Sequence, residues 1–156
     1  MIKPALDVVA IGNAIVDILA PASDALIEEL ALPHGGMQLI SASDAERLYA
    51  RMGSAIEASG GSAANTIAGM AALGRKCGFI GQVANDQFGK IFSHDMRTNG
   101  AEFTTPPREG EPPTGQVLIF DDICLFHLFI VTCPSFGIVS SCFLLLNWPF
   151  SLVPLF

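Results

Sequence analysis

The sequence predicts an α/β fold: a parallel sheet flanked by helices, with a separate small sheet beside it. Short apolar runs alternate with helical segments of about ten residues, the pattern of βαβ units. The apolar runs end in glycine-containing turns, as strands do where they reach a ligand-side edge. Two further short strands, near Val16 and Met37, fall outside the alternation and suit a sheet of their own.

The elements follow in order. Leu6–Ile11 is a continuous apolar run ending in Gly12–Asn13, which suits a buried parallel strand. Val16–Leu19 extends it or starts a second strand, with Asp17 embedded. Ser23–Leu30 has helical spacing at Leu26, Ile27 and Leu30, and Ser23 or Asp24 caps it. Pro33–Gly36 is a turn and Met37–Ile40 a short strand. Ser43 caps a helix over Asp44–Met52, with Glu46 as its capping-box partner. Ala63–Leu73 is a small-residue helix stopped at Gly74. A strand over Phe79–Val83, led in by Cys77 and Gly78, precedes a helix over Asp86–Asn99 that ends at Gly100. Ala101–Thr105 is a further strand, Pro106–Pro113 a polar proline-rich loop, and Thr114–Phe120 a last strand.

Composition bounds the function. A chain of 156 residues suits one domain with a real core. Its net charge of −7 excludes the clustered Lys and Arg of a nucleic-acid footprint, so no nucleic-acid partner is expected. No charged leader followed by an apolar stretch opens the chain, and Met1–Ala10 reads as an ordinary first strand, so a cytoplasmic location is expected. Among the first 122 residues Cys77 is the sole cysteine, which rules out a disulfide framework or zinc spacing there.

The averages hide a break. All 23 Lys, Arg, Asp and Glu residues lie between Lys3 and Asp122, and the 34 residues from Ile123 to Phe156 carry none. Residues 1–122 and 123–156 are therefore separate units.

The chemistry-bearing stretch is Gly60-Gly61-Ser62-Ala63-Ala64-Asn65, continuing to Gly81 and Asp86–Gly89. Adjacent glycines let backbone approach a ligand, and a helix start leaves N–H donors free. As a bare pattern a structural turn is at least as good a reading, and neither G-x-G-x-x-G nor a P-loop is present. Asn13 and Asp17 add a mixed donor/acceptor amide and an acceptor-only carboxylate, a pair that can read a diol. Their plain alternatives are a turn residue and a solvated strand residue. Asn65 serves equally as a helix-start residue. For Asp86 the helix N-cap is the better reading. Met37 and Leu39 alternate as sheet packing would. His34 and His94 lack partners at ligand spacing and read as surface residues.

This ordered series, Gly12-Asn13, Asp17, Gly36-Met37, Gly60-Gly61, Asn65, Gly81, Asp86 and Gly89, resembles the ribokinase-like (PfkB) family of carbohydrate and nucleoside kinases, most closely its adenosine kinase and sugar kinase branch. The resemblance covers about residues 5–120, the N-terminal part only. It implies an α/β domain with a small β lid, here truncated, and transfer of the γ-phosphoryl of Mg-ATP to a hydroxymethyl group of a sugar or nucleoside. It assigns substrate hydroxyls to Asn13 and Asp17, the substrate turn to Gly60, Gly61 and Asn65, and lid cover to Met37 and Leu39. It also allows a homodimer through the lid. The family's D-T-x-G-A-G-D motif, which supplies the catalytic aspartate and an anion hole, has no counterpart after Gly89. The resemblance thus implies substrate contacts without a complete kinase site, with no catalytic residue or metal ligand assigned to this chain.

The tail admits two sharper readings and one plain one. Ile123–Leu146 exceeds the roughly 18 uncharged apolar residues of a membrane span, but Pro134, Gly137 and the missing flanking Lys or Arg weaken it. Cys124, Cys133 and Cys142 recur at a spacing that fits neither a metal site nor a helix. The favoured reading is a non-native or disordered extension from a shifted reading frame, because charge vanishes where the resemblance stops. A kinase portion is the leading expectation, ahead of a non-catalytic nucleoside- or sugar-binding module and of a tail-anchored membrane protein.

Overall fold

A computed structural model describes residues 5–33, 35–121 and 127–132, the last six through their backbone. Eight strands and four helices lie among them. The first strand, β1 (Val8–Ile11), pairs in parallel with β5 (Cys77–Ile80), and β5 with β6 (Ala101–Glu102). This three-stranded parallel sheet has the order β1-β5-β6. Helix α3 (Ser62–Ala72) leads into β5, and α4 (Gln87–Thr98) links β5 to β6. These are the alternating units that the apolar runs predict.

The second sheet is larger than two short strands foretold. It takes β2 (Ile15–Pro21) and β3 (Met37–Leu39), as expected, and adds β4 (Ile56–Gly60), β7 (Gly115–Asp121) and β8 (His127–Thr132) in the order β3-β8-β7-β2-β4. Strand β4 was missed in the sequence. Strand β7 lies in this sheet, running parallel to β2 while β4 runs antiparallel to it. His127–Thr132, within the segment set apart as a tail, pair with β7 and β3. Residues 122–126 and 133–156 lie outside the described residues, so the membrane-span reading of Ile123–Leu146 and the non-native reading of 123–156 fall on described residues only at His127–Thr132, which form a strand of this sheet. His34 lies outside the described residues as well.

Helix α1 (Asp24–Glu29) begins where Ser23 accepts the Leu26 amide. Helix α2 (Ala42–Tyr49) is capped by Ser41, not Ser43. Ser41 Oγ accepts the Asp44 amide at 3.1 Å and donates to Asp44 Oδ2 at 2.7 Å, so Asp44 takes the partner role expected of Glu46. Ser43 Oγ lies 2.9 Å from Ser41 Oγ and joins this network from inside the first turn.

One core runs through both sheets. On β2 the residues Val16, Ile18 and Ala20 are buried with Leu118 and Phe120 of β7, against Ile27 of α1 and Ala45 of α2. Under the other sheet, Phe79, Phe92 and Phe103 form a ring triangle with centroids 5.4 to 6.0 Å apart. Each such ring contributes about 1.5–3 kcal/mol of apolar burial. The opposite face of β2, carrying Ile15, Asp17 and Leu19, is only partly covered. That face meets the turns at the ends of β1 and β4.

Candidate functional site

Three glycine turns converge at the end of β1. A Cβ at Gly12 would lie 2.7 Å from the Ala63 side chain, one at Gly61 would lie 2.9 Å from the Asn13 carbonyl oxygen, and one at Gly81 would lie 2.8 Å from the Gly12 carbonyl oxygen. The Gly12–Asn13 turn therefore rests directly on the start of α3. Gly61 holds φ +95° and ψ 134° as the N-cap, a conformation closed to most side chains. It offers no side-chain cap, so the first amides of α3 are left for another acceptor. The Asn65 amide donates to the Gly61 carbonyl at 2.8 Å, which starts the helix, and its side chain is exposed.

Asp17 sits across from this turn. Strand pairing sets Ile15 opposite Gly60 and Asp17 opposite Ala58, so the Asp17 side chain leans diagonally onto Gly60. A Cβ at Gly60 would be 2.6 Å from Oδ1 and nearer still to Cγ and Oδ2. The glycine is what makes room for the carboxylate. Burial pushes the Asp17 carboxyl up from 3.8 to about 6. Among the described residues no donor bonds the side chains of Asp17, Asn13 or Asn65. A half-buried carboxylate without a partner, beside free helix-start amides, is suited to accept hydroxyl protons from a polar ligand.

The structure thus brings together Asn13, Asp17, Gly60 and Gly61, with Asn65 one turn into the adjoining helix. Met37 and Leu39 do not join them closely. Leu39 shares a cross-sheet row with Val131, Val117, Asp17 and Ala58, which puts it on the Asp17 face. It stands three strands away, roughly 14 Å by strand spacing. Both residues are open to solvent, at 62% and 67%. They line the far edge of the same face.

Asp86 has a structural role that the sequence only half disclosed. It caps α4 by accepting the Gly89 amide at 2.7 Å, as its N-cap reading foresaw. Its carboxylate also accepts the Thr114 amide and hydroxyl, both at 2.8 Å. Thr114 Oγ1 in turn accepts the Ala84 amide. This joins the β5–α4 turn to the start of β7 across 28 positions of sequence, where no local pattern could signal it. Ser59 and Asp95 form a similar long-range pair without a sequence signal. His94 is exposed, beside Asp95.

Among the described residues no three His, Cys, Asp or Glu side chains gather as a metal-ligand set. The donors around Asp17 are a lone carboxylate, amides and backbone, which do not fit an Mg-ATP site. No helix among the described residues is long and apolar enough to cross a membrane.

The two sheets, the helices beside the parallel one and the glycine-turn site define a ribokinase-like α/β unit with its β lid. Solved relatives agree. An adenosine kinase from Sinorhizobium meliloti superposes with TM-score 0.72 at 48% identity, covering 83% of this chain and 39% of its own. A probable sugar kinase from Rhizobium etli CFN 42 gives TM-score 0.71 at 44% identity, covering 81% and 38%. Among curated proteins, a 5-dehydro-2-deoxygluconokinase from Geobacillus kaustophilus is 51% identical over 43 residues, 28% of this chain and 13% of that protein. No family model matches. The resemblance to the ribokinase-like (PfkB) carbohydrate and nucleoside kinases therefore holds in both fold and sequence, with adenosine and sugar kinases alike. The chain spans about 39% of the length of the first of these kinases.

Proposed function

We propose that the chain is the substrate-binding portion of an ATP-dependent sugar or nucleoside kinase, one that transfers phosphoryl to a substrate hydroxymethyl group. The observation that carries this is the unpartnered Asp17 carboxylate lying on Gly60, beside the uncapped start of α3. Asp17 accepts hydrogen bonds from neighbouring ligand hydroxyls. Asn13 completes the pair as donor or acceptor, and the first amides of α3, with Asn65, receive a ligand oxygen. Gly60 and Gly61 keep the backbone low enough for that approach. Met37 and Leu39 bound the apolar side of the face.

Within this reading ATP supplies the phosphoryl group and Mg²⁺ its charge neutralisation. The chain alone is taken to bind substrate without turning it over. A cytoplasmic setting and a lid-mediated homodimer belong to the same proposal, as does a non-native origin for residues 123–156. A second reading is a nucleoside- or sugar-binding module with no chemistry of its own, for which the unpartnered Asp17 carboxylate on Gly60 would serve equally.

Calorimetric titration with adenosine, ribose and fructose tests the binding role. Saturable binding of one of them, lost in Asp17→Ala, is expected; no binding by any overturns the reading. ATP consumption with the bound ligand then separates portion from enzyme, since measurable turnover refutes inactivity. Light scattering reads the dimer, and the nucleotide sequence spanning the codons for Phe120–Cys124 reads the tail.

A further inference from the structure

We infer that Asp95 is a positioning residue for the substrate turn, acting through the backbone of Ser59; the inference rests on the binding role proposed above. Strand β4 is the outer strand of its sheet. A strand with one neighbour leaves alternate N–H groups without a ladder partner. Asp95, on α4, supplies one: its Oδ2 accepts the Ser59 amide at 2.8 Å. Ser59 immediately precedes Gly60, on which the Asp17 carboxylate lies. The bond therefore fixes the backbone at the place where a small shift would move Gly60 and Gly61 relative to Asp17.

The remaining attachment of β4 differs in kind. The Tyr49 hydroxyl donates to Glu57 Oε1 at 2.6 Å, and Gln87 approaches the same carboxylate at 3.4 to 3.5 Å. Those contacts hold a side chain two residues earlier and leave the backbone at Ser59 to Asp95. The other end of α4 repeats the device. Asp86 holds the Thr114 amide, and Thr114 precedes Gly115, which pairs with Ile15 as Gly60 does from the other side. One helix thereby grips both neighbours of β2 at the row Gly115–Ile15–Gly60. Asp95 has a side chain 28% exposed, with its Oδ1 3.3 Å from His94 Nδ1, and its removal takes the acceptor from the part-buried Ser59 amide.

The test is Asp95→Ala and Asp95→Asn in the full chain, read by adenosine titration, thermal melting and amide exchange. Loss of one charge-assisted backbone bond is expected to weaken adenosine affinity roughly tenfold in Asp95→Ala. Asp95→Asn, whose amide oxygen still accepts, stays within about twofold of wild type. Exchange at Ser59, Gly60 and Gly61 speeds up in the alanine variant while the β1-β5-β6 amides keep their rates. Wild-type affinity and unchanged exchange in Asp95→Ala overturn the inference, as does an equal loss in both variants. If Asp95→Ala fails to fold, Asp95→Glu is read instead; weakened affinity is expected and wild-type affinity overturns. If wild type binds no adenosine, ribose or fructose, the binding role fails. Exchange at the three amides then decides the positioning role alone.

Discussion

The Asp17 carboxylate occupies the space that a side chain on Gly60 would fill, so these two residues, on antiparallel neighbours β2 and β4, define one feature between them. The sheet supplies the placement and the missing Cβ supplies the room. Asp17 accordingly lies half-buried against backbone, with no donor among the described residues to satisfy it. That is costly for the empty protein and useful for one that takes up hydroxyl groups.

Gly60→Ala separates these two consequences. The added methyl meets Oδ1 at 2.6 Å and the rest of the carboxylate closer still, and Asp17 must swing away because its short side chain cannot bend aside locally. Overpacking of this kind costs about 1–3 kcal/mol of stability. Under the proposed binding role, affinity for the sugar or nucleoside should fall by more than the stability loss suggests, because the displaced carboxylate is the acceptor that role assigns to the ligand hydroxyls. Titration and denaturant unfolding measure the two; full affinity in Gly60→Ala would refute the arrangement.

Asp17 also sets a pH dependence. Burial raises its carboxyl from 3.8 to about 6. Between those values the folded chain holds more protons than the unfolded one. Stability from this group is therefore full below about pH 4, falls as pH rises through about 6, and is level above. Asp17→Asn should remove that slope and melt higher than wild type at pH 7. Ligand binding runs the other way, because the ionised carboxylate is the better acceptor: affinity tightens as pH rises through about 6 in wild type and stays flat in Asp17→Asn. Parallel melting profiles for the two proteins between pH 4 and 7 would contradict the burial account.

Local chemistry explains what could be read in advance. The N-caps at Ser23 and Asp86 sit beside periodic apolar residues, and both are occupied as expected. The stray strands near Val16 and Met37 do join a second sheet, apart from the alternating one. By contrast, Ile56–Gly60 contains Glu, Ala, Ser and Gly, with no alternation. It is a strand because β2 offers it a ladder, a tertiary cause invisible to a local pattern. Strand β7 carries four consecutive apolar residues, Val117 to Phe120, and is buried on both faces, so periodicity could not say which sheet it enters. At the site, the glycines and Asn13 were visible as a series, whereas the Asp95–Ser59 and Asp86–Thr114 bonds join residues with no sequence relation. Serines at both 41 and 43 fit a cap, and the choice fell to Ser41, which reaches the Asp44 amide.

Asp86 should prove more costly to replace than an ordinary N-cap. Its carboxylate accepts from the Gly89 amide, the Thr114 amide and the Thr114 hydroxyl. Asp86→Ala strands a buried threonine as well as the helix start, for a loss of about 3 kcal/mol or more, against about 1 kcal/mol for a cap alone. Asp86→Asn keeps one acceptor but turns an NH₂ toward a donor, so it should recover only part of the loss. Denaturant midpoints at constant slope measure both. A loss near 1 kcal/mol in Asp86→Ala would show that the Thr114 bonds contribute little.

Two glycine-to-alanine changes in neighbouring helices should move stability in opposite directions. Gly69 lies inside α3, and a Cβ there meets nothing within 4 Å. Alanine restricts the unfolded chain at no steric cost, so Gly69→Ala should gain about 0.5–1 kcal/mol. Gly89 lies in the first turn of α4, and a Cβ there would overlap the Ala84 carbonyl oxygen and approach Thr114 Oγ1 at 3.1 Å. The obstruction is backbone, and that backbone is tied down: the Ala84 amide donates to Thr114, and the next amide, of Asn85, donates to the Arg108 carbonyl at 2.8 Å. Gly89→Ala should therefore lose about 3 kcal/mol or more, since neither side can yield without breaking the Asp86–Thr114 junction. Unfolding midpoints of the two variants against wild type check both signs. A Gly89→Ala protein as stable as wild type would mean that the β5–α4 turn relaxes freely, and the rigid frame ascribed to α4 would have to be abandoned.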